Sequence, residues 1–268
     1  MRRCRAATSL TVLAATALLG ACSSGHPPSP PSTAPVPSTT VPTTTAPTTT
    51  AATRAAPTRA TAARVPRPSA RARAAGLRDV RSIVPDAVID LRYATRHNFT
   101  HVRLYPPDAR CLVHRSLAAG LARAAHRLRR AGLVLVFWDC YRPHAVQVRM
   151  FEVVADPEWV ARPTRYARSH EAGRSVDVTL ARARPGGRCA TPLISGHCRL
   201  DMGTGFDDFT PRAHAYAHRG VGAAAERHRA ILRKAMRTGG ISGYRGEWWH
   251  FDGPGAAVNR PLLDAPVR

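Results

Sequence analysis

The run GEWWHF near the C-terminus sets Glu247 three residues before His250, and about seventy residues earlier SHEAGRSVDV carries His170 and Asp177 on either side of Gly173. Two imidazoles and one carboxylate make a three-ligand zinc set, which leaves the fourth tetrahedral position open to water. A carboxylate beside such a water is its natural proton acceptor. Glu247 therefore reads as a general base, and the constellation as that of a zinc hydrolase with one Zn2+ per chain. Each half also has a plainer reading. A histidine and an aspartate seven residues apart are more often a hydrogen-bonded surface pair, and Glu247 with His250 can be the polar edge of a strand whose Trp248 and Trp249 pack in a core. A carboxylate and an imidazole in such apolar company need partners, however, and a metal with its water satisfies both.

Elements to position these groups can be read from periodicity. Ser116 suits the N-cap of a helix running through Leu117, Leu121, Ala125 and Leu128 to a stop at Gly132. LVLVFW, from Leu133 to Trp138, is a buried strand that delivers Asp139, Cys140, Tyr141, Arg142 and Pro143 at its exit. Pro143 opens a helix with Val146, Met150 and Val153 along one face. Val176 to Leu180 alternates as a strand, with Asp177 and Thr179 on one side. A last helix, Ala223 to Arg237, turns Ile231, Leu232 and Ala235 inward and ends at Gly239-Gly240, after which Ile241 to Phe251 completes a sheet. The expected fold is α+β: a single domain with a central, mainly antiparallel sheet flanked by helices, and the zinc site at strand ends. Arg142 at a strand exit has two readings, a structural ion-pair partner of Asp139 or a fixed cation facing a developing oxyanion.

The N-terminal residues address the chain. Arg2, Arg3 and Arg5 precede an apolar stretch from Ala6 to Ala21 too short to span a bilayer, and Leu19-Gly20-Ala21-Cys22 follows the pattern of a lipoprotein cleavage box. Residues 1–21 are expected to be a signal peptide and Cys22 the lipidated N-terminus, an ordinary cleaved signal being the alternative. Between residues 23 and 76 there is no Leu, Ile, Met, Phe, Trp, Tyr or acidic residue. Such a segment cannot offset its ordering entropy, so residues 22–76 are expected to form a disordered tether, about 40 Å long as a coil and about 160 Å if extended. The expected localisation is the extracytoplasmic face of the cell membrane, with residues 77–268 as the enzyme domain.

The net charge is +23, with nine arginines and no acid in the first 75 residues and 31 basic against 17 acidic residues thereafter. No nucleic-acid motif accompanies that charge, so contact with anionic wall polymers or lipid headgroups is the expected use, against plain compositional bias toward arginine. With Cys4 lost in the signal and Cys22 given to lipid, Cys111, Cys140, Cys189 and Cys198 remain. An even number in an oxidising compartment favours two disulfides; the local pairing of Cys189 with Cys198 leaves Cys111 with Cys140, and buried free thiols are the alternative. His214 and His218 sit four apart but lack a third ligand or base nearby, and read as solvent-facing or hydrogen-bonding residues.

Five motifs occur in order: YATRHNFT (Tyr93 to Thr100), DCYRP (Asp139 to Pro143), SHEAGRSVD (Ser169 to Asp177), MGTGFDDF (Met202 to Phe209) and EWWHF (Glu247 to Phe251). In this order they resemble the zinc D-alanyl-D-alanine dipeptidases of the vancomycin-resistance type, over essentially the whole domain. The resemblance implies that His170, Asp177 and His250 are zinc ligands, Glu247 the catalytic base and Arg142 the transition-state arginine. It further implies that Asp207 and Tyr93 recognise a dipeptide's free ammonium and that Ser169 lies in the substrate pocket. Two positions depart from the family pattern: Arg168 and Ser175 stand where serine and alanine are common, which leaves the preferred dipeptide less defined than the reaction. Two further readings stand beside hydrolysis of D-alanyl-D-alanine. One is a D,D-carboxypeptidase or endopeptidase on longer wall stem peptides. The other is a non-catalytic surface lipoprotein with a structural metal, which the open coordination set disfavours.

Overall fold

The computed structural model describes residues 65–268 apart from 185, 187, 190 and 192. The signal, Cys22 and the tether as far as residue 64 lie outside the described residues. A short helix α1 (Ala70–Ala74) leads to β1 (Leu77–Asp79), β2 (Val88–Ile89) and β3 (Leu112–His114), then to α2 (Ala118–Arg129), β4 (Leu133–Asp139) and α3 (His144–Val153). The second half runs β5 (Ser175–Arg182), β6 (Leu193–Ile194), β7 (His197–Cys198), α4 (Ala223–Thr238), β8 (Ser242–Gly243) and β9 (His250–Asp252).

Five strands make the central sheet in the order β2-β4-β5-β9-β8, with β2 parallel to β4 and every other pair antiparallel. The fold is thus α+β, as expected, with one parallel edge. β4 lies inside the sheet between β2 and β5 because Leu133 to Trp138 is an unbroken run of valine, leucine and aromatic side chains, the composition of a strand covered on both faces; all seven residues, Asp139 included, are buried. Its neighbour β5 is buried from Ser175 to Ala181, so the alternation of Val176 to Leu180 separates two covered faces rather than core from solvent.

Leu121, Leu128, Leu232 and Met236 from α2 and α4 share one core with Val134, Val136, Val178 and Leu180 of the sheet. The two helices meet where Gly120 and Gly239 approach so closely that a Cβ on either would strike the backbone of the other. A second core holds Ala72, Leu77, Tyr93, Tyr105, Leu112, Tyr141 and Met150.

Several local expectations shift. Ser116 does not cap α2; a 3-10 turn at Arg115–Leu117 precedes the helix, and Ser116 Oγ instead bonds His114 Nδ1 at 2.9 Å and accepts from Arg174 at 2.8 Å. Val153 is 47% exposed and Ile231 40% exposed. The buried stripe of α4 is Ala225, Arg229, Leu232, Ala235 and Met236, and Ile231 stands about 100° around the helix from Leu232. Ile241 to Phe251 is not one strand. β8 and β9 are antiparallel partners, so residues 244–249 reverse the chain between them, and in that connection Trp248 and Trp249 are buried in the core, with Trp248 packed on Trp138 at 5.7 Å. The folded body also begins ahead of Leu77: Ala72 is fully buried, and Ser69 N–H donates to Arg268 O, so α1 belongs to the body rather than to a tether ending at 76.

Candidate active site

Strand register gathers the acidic and imidazole groups. Asp139 on β4 stands opposite Asp177 on β5, and Asp177 stands opposite His250 on β9, so three neighbouring strand ends present these residues side by side. His170 arrives from outside the sheet on a 3-10 turn, Ser169–Ala172, with Ser169 itself at φ 46°. Gly173 closes that turn at φ 63°, and a Cβ there would lie 2.6 Å from Leu77, so both backbone and space require glycine.

The turn brings His170 Nε2 to 3.2 Å from Asp177 Oδ1 and 3.1 Å from His250 Nδ1, while His250 Nδ1 is 3.1 Å from the same Asp177 oxygen. Three donor atoms in a near-equilateral triangle match a tetrahedral zinc site, whose bonds of about 2.0–2.1 Å give edges of about 3.3 Å. Each ring also has an acceptor behind it: His170 Nδ1 lies 2.8 Å from Cys140 O, and His250 Nε2 lies 3.1 Å from Asp252 Oδ1. Outer acceptors of this kind orient ligand histidines, and their presence here satisfies the chemistry of a metal set. Among the described residues, His170, Asp177 and His250 are the group able to hold a metal ion. His214 and His218 go elsewhere, toward Glu158 at 3.7 Å and Glu226 at 2.9 Å.

Burial opposes charge on both carboxylates near the triangle, with opposite outcomes. At Asp177 the hydrogen bonds and charges of His170 and His250 outweigh burial and hold its carboxyl far below the usual range. At Glu247 burial prevails and lifts the pKa to about 7, with Asp177 adding to the rise and His250, His170 and Arg142 opposing it. Glu247 Oε2 lies 3.9 Å from His250 Nδ1, beside the triangle without joining it. Burial would disfavour a charged His250, but Asp177 and Asp252 raise its pKa well above normal.

Arg142 meets the first of its sequence readings, the ion pair with Asp139. Its Nε and Nη2 donate to Asp139 Oδ2 at 3.0 and 2.7 Å, its Nη1 donates to Gln147 Oε1 at 2.7 Å, and its guanidinium lies 5.5 Å from the Tyr93 ring centre. Asp139 is in turn held by Tyr105 OH at 2.7 Å and by the Cys140 N–H at 2.8 Å. The result is a rigid cation whose Nη2 is 3.9 Å from Asp177 Oδ2, facing the same cleft.

Asp207, at φ 54°, accepts the Tyr93 hydroxyl at 3.2 and 3.0 Å. Burial, reinforced by the charges of Asp177 and Glu247, pushes the Asp207 carboxyl well above its ordinary range. Among the described residues no cation forms an ion pair with it. Tyr93, Arg142, Ser169, Asp207, Glu247 and the three-residue triangle line one cleft of ≈ 400 Å³, at whose rim Arg168 is exposed.

Cysteines brace this architecture. Cys111 bonds Cys140 and Cys189 bonds Cys198, the pairing that sequence locality favours. The first bridge ties β3 to the residue whose carbonyl faces His170 Nδ1. Asp252 and Gln147 escaped the sequence reading. Asp252 had a signal, since a residue two after a ligand on a strand shares its face. Gln147 had none, because its partners Arg142 and the Ala161 carbonyl meet it only through the fold.

A buried two-histidine, one-aspartate triangle, flanked by a carboxylate of raised pKa and opening on a peptide-sized cleft, is the equipment of a metallopeptidase. The chain belongs to the peptidase M15 family, described as D-Ala-D-Ala dipeptidase, whose model matches residues 73–268. The D-alanyl-D-alanine dipeptidase of Escherichia coli (strain K12) is 38% identical over 185 residues, covering 69% of this chain and 88% of that protein. Similar proteins of the same name are 31% identical in Streptomyces coelicolor and 30% identical in Enterococcus faecalis, each covering 60% of this chain and 83% of the relative.

Proposed function

We propose that this enzyme hydrolyses D-alanyl-D-alanine to two D-alanines, using one zinc ion held by His170 Nε2, Asp177 Oδ1 and His250 Nδ1. The observation that carries the reading is the Asp207–Tyr93 pair. It is a buried carboxyl with no cation paired to it among the described residues, set in the same cleft as the metal triangle, and the free ammonium of a dipeptide supplies the charge that would hold it ionised. Zinc, when bound, acidifies water and polarises a peptide carbonyl. Glu247 accepts the proton of the attacking water and returns it to the departing amine, a task suited to a carboxyl whose proton affinity burial raises above the ordinary range. Arg142, fixed by Asp139 and Gln147, faces the oxygen that gains charge and has no reorganisation to undergo as it does so. Ser169 and Arg168 line the remainder of the cleft, and there the choice among dipeptides is made.

The test is amino-group release from D-alanyl-D-alanine with and without chelator, together with metal content. One zinc per chain is expected, with His170→Ala and His250→Ala losing both metal and activity; undiminished turnover by stripped protein would refute the zinc assignment. The cleft of ≈ 400 Å³ is roomier than two alanine residues require, and this favours a second reading, a D,D-carboxypeptidase acting on wall stem peptides.

Export and anchoring through lipid at Cys22 place that activity at the outer face of the membrane, and the arginine excess suits anionic wall polymers or headgroups there. The wild-type protein should fractionate with membranes and the Cys22→Ser variant should not. Recovery of wild type as a soluble protein cleaved elsewhere would remove the anchor from the proposal.

A further inference from the structure

β5 and β9 pair at two consecutive same-face positions: Asp177 lies opposite His250, and Ser175 lies opposite Asp252. The first pair supplies two corners of the metal triangle. The second forms a hydrogen-bonded chain directly behind one of them. Ser169 Oγ donates to Ser175 Oγ at 2.9 Å, Ser175 Oγ donates to Asp252 Oδ1 at 2.5 Å, and that same oxygen lies 3.1 Å from His250 Nε2. We infer that Asp252 and Ser175 are positioning residues that decide which ring nitrogen His250 offers to the metal; the inference rests on the metal-site reading above.

A neutral imidazole carries one N–H, and the partner of that N–H fixes where the lone pair points. With Asp252 accepting from Nε2–H, the His250 lone pair lies on Nδ1, the atom that faces His170 and Asp177 at 3.1 Å. His170 is arranged the opposite way round, with Nδ1 toward the Cys140 carbonyl and Nε2 toward the triangle. The two histidines thus use different nitrogens, and in each case the acceptor behind the ring makes the selection. The acceptors differ in kind. The Cys140 carbonyl stands 2.8 Å behind His170 with Asp139 Oδ2 farther off at 3.7 Å, whereas the Asp252 carboxylate stands directly behind His250 at 3.1 Å.

Asp252 needs support to do this, because its side chain is 39% exposed and free to swing into solvent. Ser175, fully buried on the middle strand of the sheet, provides it, and Ser169 directs the Ser175 hydroxyl toward the carboxylate by donating to its oxygen. The Ser169 hydroxyl also lies 3.4 Å from His250 Nε2, so the cleft wall and the metal ligand share one network.

Zinc affinity measured by competition with a chromophoric chelator, and the visible spectrum of the cobalt-loaded protein, test this directly. Asp252→Ala should weaken zinc binding by about 10- to 100-fold, the range for loss of an orienting partner. Asp252→Asn, which keeps an acceptor but not the charge, should fall between it and wild type, and Ser175→Ala should cost about 3- to 10-fold. The cobalt bands of the Asp252 variants should shift, and saturating zinc should bring their turnover back toward wild type, which would not happen if the substitutions had merely damaged the fold. Should Asp252→Ala not fold, Asp252→Asn and Ser175→Ala decide the matter. Folded variants with wild-type zinc affinity and cobalt spectra would overturn the inference while leaving the metal site intact; a wild-type protein that binds no metal would overturn both.

Discussion

Glu247→Ala should retain its zinc and lose about 10²- to 10⁴-fold in turnover, the contribution of a positioned general base. The separation of the two effects comes from geometry. Glu247 stands 3.9 Å from His250 Nδ1 and outside the donor triangle, so the metal keeps all three ligands when the carboxylate is removed. Binding of substrate should change little, leaving the loss in kcat. Wild-type turnover should have an acid limb, because only the deprotonated carboxylate accepts a proton, and activity falls as pH drops through its pKa. Burial sets that pKa at about 7 without metal, and a cation at the triangle lowers it, so the limb belongs below neutrality and disappears in Glu247→Ala. Metal analysis and a pH–rate profile check both statements. Loss of zinc from Glu247→Ala would make Glu247 a ligand and contradict the role given to it here.

Free D-alanyl-D-alanine should be hydrolysed far better than its N-acetyl derivative or a tripeptide. The cleft-facing side of Asp207 is covered when substrate fills it, and an amide in place of the ammonium leaves that carboxyl, already pushed upward by burial, without a counter-charge and with Tyr93 as its hydrogen-bond partner among the described residues. Losing one member of a buried, hydrogen-bonded charge pair costs about 2–5 kcal/mol, or about 30-fold to a few thousand-fold in kcat/KM. Asp207→Ala should reduce the discrimination mainly by slowing the free dipeptide. Equal cleavage of free and acetylated substrates by wild type would instead favour the stem-peptide carboxypeptidase reading, and the roomy cleft would then hold the preceding residues of the stem.

The class of chemistry was legible from residue types. Two histidines and an aspartate point to a metal with an open ligand position, a set that non-haem iron enzymes also use, and the nearby glutamate, a base for water, turns the reading toward metal-assisted hydrolysis. The apolar run of β4 and the glycine stop after α2 are local signals, and local signals survive into the structure. Where the fold departs from them, longer-range packing decides. The β-compatible run from Ile241 to Phe251 is broken by a chain reversal between β8 and β9, and the connection that carries Glu247 packs Trp248 and Trp249 against Trp138 and Phe206. Ile231 faces water because α2 and the sheet select a neighbouring stripe of α4. Strand register was likewise invisible in sequence, although it is what sets Asp139, Asp177 and His250 abreast and Ser175 against Asp252. Sequence determined which groups are available, since side-chain identity fixes ligand and acid–base chemistry. Tertiary structure alone decided which nitrogen of each histidine faces the shared donor triangle and which carboxylates stand in front of the rings or behind them, because those choices depend on distances of about 3 Å between residues up to 80 positions apart.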